Sequence, residues 1–372
     1  SVDIQAEITI LVSNLFSGDS NLTSVTLPNT LKTIEPAAFE NCASLKHINL
    51  PEGLEVIKNL VFIGTAIEKI TLPSTLTQLQ DEAFKNVTTL KTVDFNNVET
   101  TIGNSCFQGC TNLTSITGLG NITSIGNRAF YGCKVLGELS SLNNVTSIGD
   151  EAFLFCNQLK KVEGLHNLTS VGVGAFFQCG SIEKLDIDWS KVEKIGDRAF
   201  SMAFAKDAET ITLDEKTFES LKKIGVQAFA KAQNMTGHLF IPEGVEAISG
   251  MAFMITNIVN ITLPNSVKNI GSMAFASCAN LESITIGSDN SSKLTNINSN
   301  AFMNDSKITS VIIHTSKDSI PGISNKTFPK NVTPTYTVPS INGEKDLQDI
   351  IDKATEESVI ISLDENTRLT DT

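Results

Sequence analysis

Seven cysteines and four histidines carry the widest chemical repertoire in this 372-residue chain, so their spacing is the first test for catalysis or metal binding. Six of the cysteines, Cys42, Cys110, Cys133, Cys156, Cys179 and Cys278, each stand three residues after a phenylalanine. Zinc needs thiolates and imidazoles gathered in Cys-x-x-Cys-type clusters, and the chain has none, so no metal is expected. His47, His166, His238 and His314 lie far apart. No Gly-x-Ser-x-Gly, His-Glu-x-x-His or P-loop pattern occurs, and Gly172-Val-Gly174 is too short to be a dinucleotide fingerprint. The expectation is a chain without enzymatic activity or cofactor. The regular cysteines read as a ladder of small buried thiols. Disulfides between neighbouring turns stay open as an alternative, although parallel side-chain vectors make poor bridging geometry. Cys106 stands just before a phenylalanine, where other units have Ala, and reads as one more small core residue.

Phenylalanine supplies the ruler behind these positions. Phe16, Phe39, Phe62, Phe84, Phe107, Phe130, Phe153, Phe176, Phe200, Phe229, Phe253, Phe275, Phe302 and Phe328 follow one another at 22 to 29 residues, most often 23. A second pattern precedes each, as in NLTSVTLP (21–28), SLKHINLP (44–51), AIEKITLP (66–73) and NLESITIG (280–287). The alternation Val25-Thr26-Leu27 has the two-residue period of a half-buried strand. Pro or Gly follows, then an apolar pair such as Leu31 and Ile34, then a Gly that marks a bend, then Ala-Phe. A unit this short cannot bury a core alone, so successive turns must stack their Leu, Ile, Val and Phe into inward columns. Burial of each Phe stabilises by about 1.5–3 kcal/mol, reason enough for fourteen of the twenty phenylalanines.

The unit Leu-x-x-Ile-x-Leu-Pro-x-x-Leu-x-x-Ile-Gly-x-x-Ala-Phe-x-x-Cys resembles the BspA-like leucine-rich repeat, the type also described from treponemal surface proteins. The resemblance covers about residues 8–328. It implies an α/β repeat fold: a curved, right-handed leucine-rich-repeat solenoid with parallel strands on its concave face and short helical or irregular convex segments. It also implies a secreted or surface-anchored protein of a host-associated bacterium, in which adhesion is the usual role. Two departures stand out. The spacing stretches around 200–229 and 275–328, and the buried Asn of other leucine-rich repeats has no fixed strand-end position here.

Residues 1–16 read as an N-terminal cap, 17–328 as the repeats, 329–345 as a linker and 346–372 as a second domain's beginning or a C-terminal cap. The last segment has a helix-like pattern at Leu347, Ile350, Ile351 and Ala354, then a strand, VIISL. It is similar to the opening of a right-handed parallel β-helix. Residues 341–372 hold nine Asp or Glu against three Lys or Arg, within a net charge of −13. That balance argues against nucleic-acid binding, which rests on clustered Lys and Arg. No apolar run reaches transmembrane length. The chain opens on Ser1, which reads as a processed or truncated start whose export signal lies outside the sequence.

Sequons such as Asn21, Asn112, Asn144, Asn167 and Asn260 read as part of the repeat, NLTS being how it enters a strand; in a eukaryotic secreted protein they would be glycan acceptors. Function is expected on the variable outward strand positions. Charge gathers at Glu138, Lys161, Glu163, Lys184 and Asp186, near the only tryptophan, Trp189, with His238 and Phe240 further on. Aromatic and charged residues on one face are the usual makings of a recognition hot spot. These eight form the expected ligand-binding set of a non-enzymatic, extracellular adhesin. Its expected partner is a host matrix or surface protein, or a glycan, met by a monomer held at the membrane by a lipid or anchor outside the sequence. A carbohydrate-binding or spacer module of a larger polysaccharide-handling surface protein is the alternative.

Overall fold

The computed structural model describes residues 1–288, 291–315, 320, 323, 327–330, 332–338 and 359–361. They fall into two units, Ser1–Glu209 and Thr210–Thr372. In each, successive turns of the chain lay short strands side by side in parallel, and in the first unit the strand face is interrupted between His47–Asn49 and Lys69–Thr71, which no ladder joins. In the first unit, one face carries the strands Val2–Asp3, Ser24–Thr26 and His47–Asn49, and then Lys69–Thr71, Thr92–Asp94, Ser115–Thr117, Glu138–Leu139, Lys161–Leu165 and Lys184–Ile187. The register is that of the repeat: Ser115 lies beside Glu138, Glu138 beside Lys161 and Lys161 beside Lys184. Two-residue strands line a second face, among them Ser124–Ile125, Ser147–Ile148 and Ser170–Val171. The second unit repeats the plan from Ile211–Leu213 through Met235–Phe240, Asn257–Leu263, Ser283–Ile286 and Ser310–Ile313 to Thr335–Val338 and Val359–Ile361. Val359–Ile361, the start of VIISL, pairs with Thr335–Val338, Tyr336 lying beside Val359. The helix-like stretch before it lies outside the described residues.

The phenylalanines form the expected columns. In the first unit Phe107, Phe130, Phe153 and Phe176 stack with centroids 5.0–5.4 Å apart and planes within 12°. In the second, Phe253, Phe275 and Phe302 stack at 5.4–5.5 Å. The return segments are also hydrogen-bonded from coil to coil. Phe107, Phe130 and Phe153 donate their amides at 2.8 Å to Ala129, Ala152 and Ala175. A helix would turn those amides onto its own carbonyls and forfeit the contact. Accordingly, among the described residues the one helical segment is the 3-10 turn Trp189–Lys191, and the α/β expectation gives way to a β-solenoid with irregular returns.

The cysteine column has a specific role. The thiols of Cys110, Cys133, Cys156 and Cys179 donate to the carbonyls of Phe84, Phe107, Phe130 and Phe153, one coil back, at 3.1–3.2 Å. Thr65 and Thr256 occupy the same position, but their hydroxyls donate within their own coil, to the carbonyls of Phe62 and Phe253. All seven cysteines are free and buried, and burial pushes the Cys110 thiol up to about 12. Sequon asparagines serve the same coil-to-coil bonding: Asn112, Asn144 and Asn167 donate their amides to Thr88, Gly120 and Asn143 at 2.7–2.9 Å.

The repeat's glycine does not make the bend. The left-handed residues lie two before and two after most of the column Phe residues: Arg128 (φ 55°) and Gly132 (φ 72°) flank Phe130, and Glu151 (φ 55°) and Phe155 (φ 65°) flank Phe153. The glycine is there because coils touch: a Cβ on Gly149 would sit 2.5 Å from the Asn127 nitrogen, and one on Gly172 2.5 Å from that of Asp150. Gly149→Ala should therefore destabilise by about 1–3 kcal/mol through backbone displacement. Gln178→Gly, at a left-handed position (φ 57°), should change stability by less than about 1 kcal/mol, because strain relief offsets the flexibility of glycine. Denaturant unfolding of the two variants measures the contrast.

Asp305 takes the cysteine position after Phe302 and is 1% exposed. Its Oδ1 accepts from the Cys278 amide at 2.7 Å, while Oδ2 has no hydrogen-bond partner. Burial raises the carboxyl to about 8, against the pull of the Cys278 and Ser277 amides. An unfolded aspartate titrates near about 3.9, so between these values the folded chain holds a proton that the unfolded chain has released. Stability must fall as pH rises through that window. Asp305→Cys should remove the decline and stabilise at alkaline pH by about 1–3 kcal/mol. Unfolding curves of both proteins across the window check this, and parallel pH profiles would contradict it.

Candidate binding surface

Alternation along each strand turns every second side chain outward, and the register above aligns the outward residues of successive coils. In the first unit this brings opposite charges into pairs. Lys161 Nζ lies 3.1 Å from Glu138 Oε1, and Lys184 Nζ lies 2.9 Å from Glu163 Oε1. Lys160 and Glu183 add a parallel pair at 3.0 Å. Exposed pairs of this kind contribute about 0–1 kcal/mol each. Their greater effect is on recognition, since a partner must compete with them for the same charges.

Asp186 is tied more tightly. Its Oδ2 accepts from the Gly164 amide at 3.0 Å and meets His166 Nε2 at 2.9 Å. Partial burial raises its carboxyl, but the Gly164 amide, His166 and Lys184 outweigh that and hold it below the usual carboxylate range. His166 was not among the expected site residues. It lies beyond its strand, and only the coil-to-coil register brings it to Asp186.

Trp189 belongs to the core. It opens the 3-10 turn, which Asp188 caps by accepting from the Ser190 amide and hydroxyl at 3.3 and 2.6 Å. Its ring meets Phe200 edge-on, with centroids 5.2 Å apart, and it is 9% exposed. Phe95 packs in the same way on Phe107, at 6.0 Å and 62°. Leu119, Leu142 and Leu165 hold the equivalent place before Phe130, Phe153 and Phe176. The tryptophan is thus an enlarged member of a leucine column, with little surface to offer a ligand.

His238 and Phe240 lie in the second unit, on the strand Met235–Phe240. Alternation along the strand puts both side chains on one face, and the imidazole lies over the Phe240 ring with centroids 3.8 Å apart and planes 25° off parallel; the register with Asn257–Leu263 shifts between Gly237 and His238. His238 Nε2 meets Thr262 Oγ1 at 2.9 Å, and partial desolvation lowers its pKa. The neighbouring outward residues are uncharged: Asn260 and Thr262, then Ser283 and Thr285, with Ser283 Oγ donating to Asn260 Oδ1 at 2.6 Å. The expected set therefore divides into a self-paired ionic group in the first unit and a neutral aromatic and hydroxyl group in the second. Among the described residues no group of three His, Cys, Asp or Glu could hold a metal ion.

The family model for the BspA type leucine rich repeat region matches in six copies, over residues 9–137, 124–213 and 202–333. Among solved structures, a leucine-rich repeat protein from Bacteroides ovatus is 22% identical with a TM-score of 0.55, over 96% of this chain and 87% of that one. A leucine rich cell surface protein from Faecalibacterium prausnitzii is 20% identical with a TM-score of 0.33, over 95% and 90%. The pneumococcal vaccine antigen PcpA is 18% identical with a TM-score of 0.38, over 95% and 85%. At 22% identity the likeness to the Bacteroides ovatus protein is one of fold. No curated protein matches the chain. With the stacked Phe columns, the thiol ladder and the strand register all carried by the matched segments, the chain belongs to the BspA-type leucine-rich repeat family.

Proposed function

We propose that this is a non-enzymatic surface or secreted binding protein that presents its outward strand faces to a macromolecule of a host or neighbouring cell. The observation that carries the reading is the His238–Phe240 stack, an aromatic pair on an outward face flanked by Asn260, Thr262, Ser283 and Thr285. The pair is held in place by the Thr262 hydroxyl, so little ordering remains to be done on binding. Interface hot spots centre on such anchoring side chains, ringed by contacts that contribute little energy themselves. Family membership supports export, and attachment by a lipid or other anchor belongs to the same proposal. The ionic ladder of Glu138, Lys161, Glu163 and Lys184 tunes association rate and salt response in this reading, and Trp189 takes no direct part.

A glycan is the second reading, since the same platform pairs a ring face with a row of hydroxyl and amide groups. A screen against immobilised matrix proteins and mucins separates the two. Phe240→Ala should weaken binding to whichever ligand is found by about tenfold or more and leave the thermal transition nearly unchanged. Lys161→Glu should alter mainly the dependence on salt. Parental affinity in Phe240→Ala would remove the aromatic pair from the site.

A further inference from the structure

Six phenylalanines lie outside the stacked column: Phe95, Phe155, Phe177, Phe204, Phe218 and Phe240. Phe95 and Phe218 are buried, whereas Phe155 and Phe177 are half-buried on the returns of successive coils in the first unit. Tyr131, one coil earlier, is half-buried as well. Tyr131 and Phe177 each follow a column Phe by one residue, and Leu154 holds that position on the coil between them, 9% exposed. A smaller and more deeply buried side chain thus separates two rings. Phe155 follows its column Phe by two residues, and its ring meets Tyr131 edge-on, with centroids 5.6 Å apart and planes at 85°. Arg128 Nε donates to Glu151 Oε2 at 2.7 Å beside these rings, and Arg198 Cζ lies 5.9 Å from the Phe177 centroid. A Cβ on Gly174 would lie 3.6 Å from Phe177 Cβ and 3.7 Å from Glu151 Cγ, so the pair and the ring adjoin across a residue with no side chain. Tyr and Arg are the types enriched where proteins meet, and this surface holds one of the chain's two tyrosines and two of its three arginines.

The backbone limits what such a surface fits. The amides of Phe130, Gly132, Phe153 and Phe176 all donate to the following coil, to Ala152, Leu154, Ala175 and Ala199 at 2.8–2.9 Å. An added β-strand would therefore find none of these donors, on which strand addition relies. Glu151 is occupied by Arg128, which leaves recognition to the rings more than to charge. Their spacing selects further. Phe130 and Phe153 stack at 5.3 Å and Phe153 and Phe176 at 5.0 Å, so Tyr131 and Phe177 stand two coils, about 10 Å, apart along the stack. A polyproline II helix has three residues per turn at about 3.1 Å each, which sets prolines three apart at about 9.3 Å on one face. Its backbone makes no internal hydrogen bonds and is preformed, and it is read by aromatic side chains that pack on its rings. The Tyr131 hydroxyl can donate to one of its free carbonyls.

We propose that the return surface formed by Tyr131, Leu154, Phe155 and Phe177 binds a proline-rich segment of a partner protein in polyproline II form. Its axis runs along the stack, prolines i and i+3 pack against Tyr131 and Phe177, and the residues between them cross Leu154 and Phe155. The surface belongs to the returns and not to the strand face, and it does not depend on the His238–Phe240 reading.

The probe is a blocked heptapeptide with Pro at its first, fourth and seventh positions and Ala between, titrated into the full chain by calorimetry and mapped by chemical-shift changes. Saturable binding is expected, with shifts centred on Tyr131, Leu154 and Phe177. A peptide of the same composition with Pro at the first, third and fifth positions spreads its rings over three faces of the helix and should bind at least about fivefold more weakly. Tyr131→Leu and Phe177→Leu install the side chain that Leu154 already supplies at this position, so the thermal transition should move little while each weakens binding by about fivefold or more. Phe240→Ala should bind the peptide as the parent does, so the two readings can fail independently. The proposal is overturned by absence of saturable binding, by equal binding of the two peptides, by shifts centred elsewhere, or by parental affinity in the double Leu variant. A neutral oligosaccharide that binds these residues where the peptide does not would assign the surface to a glycan and overturn it too, as would burial of the rings in a concentration-dependent dimer.

Discussion

Hydrogen bonding from each coil to its successor, in the returns as much as in the strands, is the constraint on which the rest of the structure depends. A coil of about 23 residues leaves nearly all of its backbone polar groups facing its neighbours, and buried amides and carbonyls must be paired. The bond from Phe107 to Ala129, and its equivalents along the column, meets that need where a short helix would not. Once the returns are bonded in this way, coils cannot separate locally to admit bulk. Glycine at 149 and 172 then follows, because nothing larger fits between touching backbones. A small donor after many of the Phe residues follows too, because a Phe carbonyl has a lone pair left to satisfy: Cys133 donates to Phe107 of the coil before, and Thr65 to Phe62 of its own coil.

Asp305 shows the same constraint from the other side. It brings a group at the right place and of nearly the right size, but one that in its ionised form can only accept. One oxygen finds the Cys278 amide and the other finds nothing. Burial then favours the protonated acid, and the second unit acquires a sensitivity to pH below about 8, where the buried thiols stay protonated. The left-handed residues are related: Arg128 and Glu151 hold conformations that cost about 1–3 kcal/mol each, and they persist because the bonds on either side dictate them.

Much of this was legible in the sequence. The interval between phenylalanines gave the coil, the alternation around Val25 gave the strand, and the recurrence of Cys three residues later gave a buried column. What escaped had no residue-type signal. Arg128, Glu151 and Ala37 are not residues that announce a left-handed backbone, and the nearby glycine drew the bend to itself. Trp189 stood out as the only tryptophan and looked like a contact residue, yet its place eleven before Phe200 is the leucine position of neighbouring coils. The outward charges were located correctly along the chain, but their mutual pairing depends on register between coils. The interruption of the strand face between His47–Asn49 and Lys69–Thr71 was invisible, because SLKHINLP and AIEKITLP obey the same motif.

Residue-resolved amide hydrogen exchange tests the central claim most directly. If the returns are bonded from coil to coil, the amides of Phe107, Phe130 and Phe153 should be protected as strongly as those of Ile116 and Val162 on the strand face. They should open only with the cooperative unfolding of the unit. Return amides that exchange at the rate of exposed turns, while the strand amides stay protected, would contradict the account.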